Sequence, residues 1–255
     1  MSNKNLISHS ISIIKNSMFF FIIIIFSYNS IAGPPFNTDD PEPVKLKHWE
    51  YYISSMNLYQ QNFYTGTLPH LEINYGAIEN VQLHLVLPMN FNYYVSAKQM
   101  KYAYATTEFG IKYRFIQETA THPQVGTFPI VEIPTISNPE FNNGEIQFYL
   151  PLWIQKSWDK LTTYGGAGYW YNPGTNNKNY LFAGWEMQYD FSEILTLGSE
   201  IFYHSAITID SKSLAAINVG GYINFSSKFH LLFSFGHSFA GDNTFLSYTG
   251  IQWTI

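Results

Sequence analysis

The chain has 255 residues, of which 46% are apolar and 18% aromatic but only 12% charged, about half the charge of an ordinary soluble domain. It contains no cysteine, which excludes disulfides, thiolate catalysis and cysteine-held metals. The formal net charge is −5 and Arg114 is the only arginine, so the clustered cations that neutralise nucleic-acid phosphates are missing.

Lys4 and Lys15 flank the start of an unbroken apolar run, Met18 to Phe26, and Ser30-Ile31-Ala32 has the small-x-small spacing of a cleavage site. This predicts a secretory signal peptide over 1–32, because the run is about half of what a membrane-spanning helix needs. Cleavage removes two lysines and no acids, leaving 11 basic and 18 acidic residues, net −7. The next piece, 33–48, places Pro34, Pro35, Pro41 and Pro43 around Asp39, Asp40 and Glu42. It reads as a stiff turn segment, either periplasmic or folded into a barrel mouth as a plug. Its acids lack the spacing of a calcium loop, and no metal or cofactor is expected.

From Trp49 the pattern changes to strict alternation. Leu71, Ile73, Tyr75 and Ala77 alternate with Glu72, Asn74 and Gly76, and after Ile78-Glu79-Asn80 the residues Val81, Leu83, Leu85 and Leu87 alternate with Gln82 and His84. Strands put successive side chains on opposite faces. Twelve such strands are predicted, over 49–60, 70–78, 81–89, 105–116, 124–134, 145–155, 162–171, 180–191, 195–205, 215–225, 229–239 and 244–255. Their connections alternate between tight turns (78–80, 192–194, 226–228, with 117–123 and 156–161 somewhat longer) and mostly longer links at 61–69, 90–104, 135–144, 172–179, 206–214 and 240–243. Together these features predict an all-β fold over 49–255, an antiparallel up-and-down transmembrane β-barrel of about 12 strands in the bacterial outer membrane, with both termini at the periplasmic end.

The alternation also assigns faces. Phe109, Ile111, Tyr113 and Phe115 are expected against lipid, opposite Glu108, Gly110, Lys112 and Arg114; Leu195, Leu197, Ile201 and Tyr203 oppose Thr196, Gly198, Glu200 and His204. Strands 49–60 and 162–171 give no clear phase. Trp49, Tyr113, Tyr189, Phe225, Phe229 and Trp253 fall at strand ends, where aromatic girdles form. The terminal Tyr248-x-Gly250-x-x-Trp253-x-Ile255 resembles the C-terminal assembly signal of outer-membrane barrels, with Ile255 where Phe is usual. It implies the barrel-assembly machinery as a partner.

Gly33-Pro34-Pro35-Phe36-Asn37-Thr38-Asp39-Asp40-Pro41-Glu42-Pro43 with His48-Trp49-Glu50 resembles the opening of a bacterial outer-membrane barrel family labelled for the meta-pathway of phenol degradation. Glu108 to Phe115, Tyr149-Leu150-Pro151-Leu152-Trp153 and Leu197 to Tyr203 are similar to that family too. The resemblance implies a transporter-like barrel and no reaction.

On this phasing the lumen carries Glu72, Glu108, Glu132, Glu145, Glu186, Asp190 and Glu200 against Lys112 and Arg114, with His84 and His204 beside them as candidates for solute contact. Such an acidic excess favours cations or polyhydroxy, amine-bearing solutes; alternatively, the same residues form a salt-bridged filling. Barrel hydrolases place His and Ser two residues apart on one face, but His84, His204, His230 and His237 are followed at that spacing by Val86, Ala206, Leu232 and Phe239. A non-enzymatic, monomeric barrel in outer-membrane lipid, passing an unidentified small solute, is therefore expected. The alternative is a structural or surface-interaction barrel that presents loop 90–104, with a lipid hydrolase third.

Overall fold

The computed structural model describes residues 34–136, 138, 140–142 and 144–255; the predicted signal peptide lies outside the described residues. Fourteen β-segments follow one another without a helix among the described residues: β1 (Trp49–Gln60), β2 (Phe63–Ile78), β3 (Val81–Tyr94), β4 (Gln99–Tyr104), β5 (Thr106–Ile116), β6 (Gln124–Thr127), β7 (Ile130–Pro134), β8 (Gln147–Trp158), β9 (Leu161–Tyr171), β10 (Tyr180–Asp190), β11 (Leu195–His204), β12 (Leu214–Asn224), β13 (Phe229–Ala240) and β14 (Phe245–Thr254). β4 and β5 are one stave broken at Ala105, and β6 and β7 are one stave broken at Phe128-Pro129. That leaves twelve staves.

Every neighbouring pair is antiparallel, and the sheet closes because β1 pairs with β14, from Glu50 opposite Thr254 to Tyr59 opposite Phe245. Closure removes the unpaired edges that lipid could not satisfy. The residues assigned to lipid face outward: Phe109, Ile111, Tyr113 and Phe115 are all exposed, while Glu108 just before them and Lys112 among them are buried. The aromatic strand ends form a girdle at the short-turn end, where Trp49 stacks on Tyr75 at 4.3 Å and Phe225 meets Phe229 at 5.8 Å. Asn80 takes a left-handed conformation (φ 65°) in the tight β2–β3 turn, one that Asn tolerates better than most residues.

The long-loop end departs from expectation. Segments 61–69 and 90–104 were expected to be loops, but 63–69, 90–94 and 99–104 are strand, and the true turns shrink to 61–62 and 95–98. Pro69 is accommodated by a register shift between Thr67 and His70, since a bulge spares the ladder a missing N–H. Aromatic pairs such as Tyr59–Tyr64 at 4.4 Å and Phe63–Tyr94 at 5.1 Å carry these hairpins beyond the predicted ends. The expected contact patch on 90–104 is also partly engaged: Tyr94 Oη and Lys101 Nζ each donate to the Glu140 carboxylate at 2.9 Å.

Candidate functional site: the lumen and the segment inside it

The interior has two unlike halves. In the staves from β2 to β7, polar side chains form a connected chain. Asn74 Nδ2 donates to Glu72 Oε1 at 2.7 Å, and this turns Asn74 Oδ1 toward His84 Nδ1 at 2.6 Å. His84 Nε2 meets Glu108 Oε1 at 2.8 Å, so both ring nitrogens face acceptors and the chain is complete when the ring carries two protons. Glu132 lies directly across the ladder from Glu108.

In the staves from β8 to β12 many inward positions are aromatic, with Glu186, Glu200 and Asn218 on the same side. Tyr149, Trp153, Trp170, Tyr180, Phe182 and Phe202 are all buried. Tyr149 stacks on Trp170 at 4.8 Å, Trp170 on Tyr180 at 5.9 Å, and Phe182 on Phe202 at 6.0 Å. Gly168 makes room for this wall, because a Cβ there would lie 2.4 Å from the Tyr149 ring. Sequence reasoning missed these rings. In Phe148-Tyr149-Leu150-Pro151-Leu152-Trp153-Ile154 both faces are apolar, so the run shows no alternation. Its signal was the uninterrupted apolar run itself, as in a strand buried on both sides.

Residues 34–48 run between these halves. Entering at the short-turn end, Lys47 N donates to Gly76 O at 2.6 Å and Val44 N to Gln82 Oε1 at 2.9 Å. Glu42 accepts from Gln124 and Gln155, both at 3.2 Å, with Arg114 at 3.9 Å. Deeper in, Lys112 Nζ binds Asp39 Oδ1 at 2.9 Å and lies 3.6 Å from Asp40. Burial pushes the Asp40 carboxyl up to about 6, against the opposing pull of Lys112. At mid-height Glu200 accepts from the backbone N–H groups of Thr38 and Asn37 (3.1 Å for Asn37) and from Asn218 Nδ2 at 2.7 Å. The segment then crosses the lumen, where Ser234 Oγ donates to Pro35 O at 2.5 Å and Tyr222 Oη to Pro34 O at 3.1 Å.

A cavity lies on each side of that crossing. One, about 600 Å³ at the short-turn end, is polar and lined among others by Asp40, Glu50, Gln82, Lys112, Gln188 and His230. The other, about 110 Å³ toward the long-loop end, is walled by Tyr180, Phe182, Phe202, Leu214 and Leu246, with Phe36 of the segment beneath.

The structure therefore gathers some predicted residues and scatters others. Glu72, His84 and Glu108 share one network through Asn74, and Glu132 lies across the ladder from Glu108. Glu186 and Glu200 face each other across the β10–β11 ladder, fully buried. Lys112 turns to Asp39 rather than to Glu108. Arg114 reaches Asn80 Oδ1 at 3.1 Å and Gln124 Oε1 at 2.9 Å near the short-turn rim. His204 lines the apolar cavity, with Nδ1 3.0 Å from Ser205 O. Two assignments need correction. Glu145 is exposed in the turn before β8 rather than lumenal, because the strand begins at Gln147; Asp190 is exposed at the rim, bonded to Thr196. Tyr248 and Gly250 point inward on β14 while Trp253 and Ile255 point outward, and Ile255 exchanges backbone hydrogen bonds with Trp49 at the seam.

No family model matches the chain, and no curated protein matches it in sequence. Solved structures do. An outer membrane channel from Pseudomonas putida F1 is 15% identical, covering 85% of this chain and 98% of its own, with a TM-score of 0.63. The fold is that of an outer-membrane channel. The KdgM porin (13% identity, 79% of this chain and 98% of that one) and the NanC porin (7%, 80% and 98%) each superpose with a TM-score of 0.55.

Proposed function

We propose that the chain is a passive channel of the bacterial outer membrane for a small solute, and that residues 34–48 close its lumen in this conformation. One observation carries the reading: two cavities inside one closed barrel are separated by a few residues of the segment, and Pro34 borders both. The staves are locked by ladder hydrogen bonds, whereas the crossing is held mainly by Glu200, Lys112, Ser234 and Tyr222. Displacing the segment is the smallest change that joins the cavities. On this reading Glu200, Lys112 and Arg114 hold the segment in place, and the solute meets the polar cavity on the short-turn side. The likeness to outer membrane channels and porins supports it, as does the resemblance to the transporter-like family labelled for phenol degradation. We assign no reaction to the barrel. We assign 1–32 to export, Tyr248, Gly250, Trp253 and Ile255 to recognition by the assembly machinery, and a monomer in lipid to the working state.

The test is planar-bilayer conductance and liposome swelling of the refolded mature chain beside a variant lacking 34–44. Rare or small openings are expected for the whole chain, and frequent larger ones for the deletion. A barrel that stays silent and impermeable in both forms would instead be a filled structural barrel, a reading favoured by Glu140 fixing the outer hairpin.

A further inference from the structure

We propose that removal of the signal peptide completes the lumen: the α-ammonium of Gly33, first residue of the cleaved chain, binds the Glu72 carboxylate, so that only the processed chain can seat its segment. The proposal rests on the channel reading in two points, cleavage after Ala32 and the seated segment. Pro34 and Glu72 are the two described residues that line both cavities. Pro34 is held there by Tyr222 Oη, which donates to its carbonyl at 3.1 Å. Gly33 lies outside the described residues, but covalent geometry keeps its α-nitrogen within about 5 Å of the Pro34 Cα. Cleavage therefore creates a positive charge inside the lumen.

Glu72 is the carboxylate placed to receive it. Its side chain is buried, and its Oε1 accepts from Asn74 Nδ2 at 2.7 Å. Its Oε2 accepts no hydrogen bond among the described residues. No Lys or Arg pairs with it among them either: Lys112 is bonded to Asp39, Arg114 stands near the short-turn rim, and Lys45 and Lys228 line the polar cavity at its short-turn end. His84 lies 3.6 Å from Glu72 and 2.8 Å from Glu108, one ring between two carboxylates. A buried carboxylate without a cation is costly, and an ammonium brings it a full charge with three donors.

Threading explains why the cut must come first. The sheet closes around the segment, and the cavities beside Pro34 hold only about 110 and 600 Å³. An uncleaved chain would have to lead 32 more residues past Pro34 through that space. In the processed chain a single glycine precedes Pro34, with no side chain to place. Export and closure are thus one event, because the cut that frees the leader also makes the charge that anchors the segment.

The test is carbamoylation of the α-amine by cyanate at pH 7, followed by mass spectrometry of the N-terminal peptide. At that pH an α-amine keeps a far larger unprotonated share than any lysine, so it reacts first. The refolded mature barrel in micelles should react at least about tenfold more slowly than the guanidinium-unfolded chain, and Glu72→Gln should speed the folded reaction about tenfold, the usual worth of one charged hydrogen bond. Heat-dependent gel migration confirms that each barrel has folded. A flexible Gly-Ser extension ahead of Gly33 should make the barrel open in bilayers as often as the 34–44 deletion does. Equal rates in folded and unfolded chains, equal rates in wild type and Glu72→Gln, or an extended barrel that stays closed while the deletion opens would each overturn the proposal. Protection that Glu72→Gln removes, in a barrel that never conducts even after the deletion, would overturn the channel reading and leave the Gly33–Glu72 pair standing.

Discussion

Replacing Glu200 with alanine should open the barrel. In the closed form this buried carboxylate accepts from Thr38 N, from Asn37 N at 3.1 Å and from Asn37 Nδ2 at 3.4 Å. It sits at mid-height, where the segment crosses from one half of the lumen to the other. A hydrogen bond to a charged group contributes ~1.5–3 kcal/mol net, the range already allowing for water as the alternative partner. Counting only the two backbone donors and taking the low end gives ~3 kcal/mol of preference for the seated segment. At about 1.4 kcal/mol per factor of ten, removing it moves the closed-to-open ratio by about a hundredfold. Glu200→Gln keeps an acceptor oxygen but not the charge, so it should fall between wild type and alanine. The readout is single-channel open probability in planar bilayers. Cold, unboiled gel migration shows whether the barrel itself is intact. An open probability for Glu200→Ala within about threefold of wild type, in a barrel that opens when 34–44 is deleted, would refute the latch.

The other expected outcomes are independent of that one. Gly76→Ala should also unseat the segment, because its new Cβ would lie 2.1 Å from Lys45 O and 2.6 Å from Val44 O, backbone atoms that must move; open probability should rise with no loss of urea resistance. Lowering pH from 7 to 5 should favour closure: the seated segment holds the Asp40 proton up to about pH 6 while the free carboxyl releases it near 3.8. The closed state therefore gains as pH falls through that window, and Asp40→Asn should flatten the response of open probability to pH. Trp153→Ala empties a fully buried site inside the aromatic half and should cost about 3–5 kcal/mol in urea unfolding. Leu150→Ala on the outer face of the same stave, 66% exposed, should change unfolding in micelles far less.

The two-residue period made the barrel legible, because a closed sheet with lipid on one side leaves its phase in every stave. It identified Glu72, His84, Glu108, Lys112 and Glu200 as one face, and all are buried on the inner side. It failed where the phase carries no contrast. Tyr149 and Trp153 are as apolar as Leu150 and Leu152 beside them, so the aromatic half of the interior was invisible. Turn chemistry misled at 61–69, where Gly66 and Pro69 look like loop residues but sit in a bulged strand. Partners were beyond reach altogether: Glu200 binds residues more than 160 positions away, and nothing in a strand pattern predicts which non-strand residues will lie beside it.

That last point changes what an acidic lumen means. Seven acids against two bases left open an acid-lined lumen or a salt-bridged filling, but two of them, Glu145 and Asp190, are at the exposed rim. Glu72 and Glu108 are tied to Asn74 and His84, and Glu200 to the Asn37 and Thr38 amides and Asn218. The segment brings acids of its own, Asp39 and Asp40, but these meet Lys112. When the segment leaves, Lys112 loses both carboxylate partners and Glu200 loses the Asn37 and Thr38 donors but keeps Asn218, with Glu186 across the ladder beside it. The seated barrel therefore holds Glu200 against the segment's backbone, whereas the unseated barrel exposes a carboxylate pair at mid-height. Reversal potentials under a salt gradient should show this directly: the 34–44 deletion should prefer cations, and the preference should vanish in a deletion that also carries Glu186→Gln and Glu200→Gln. A deletion barrel with no ion preference would mean that these carboxylates do not face the path the segment vacates.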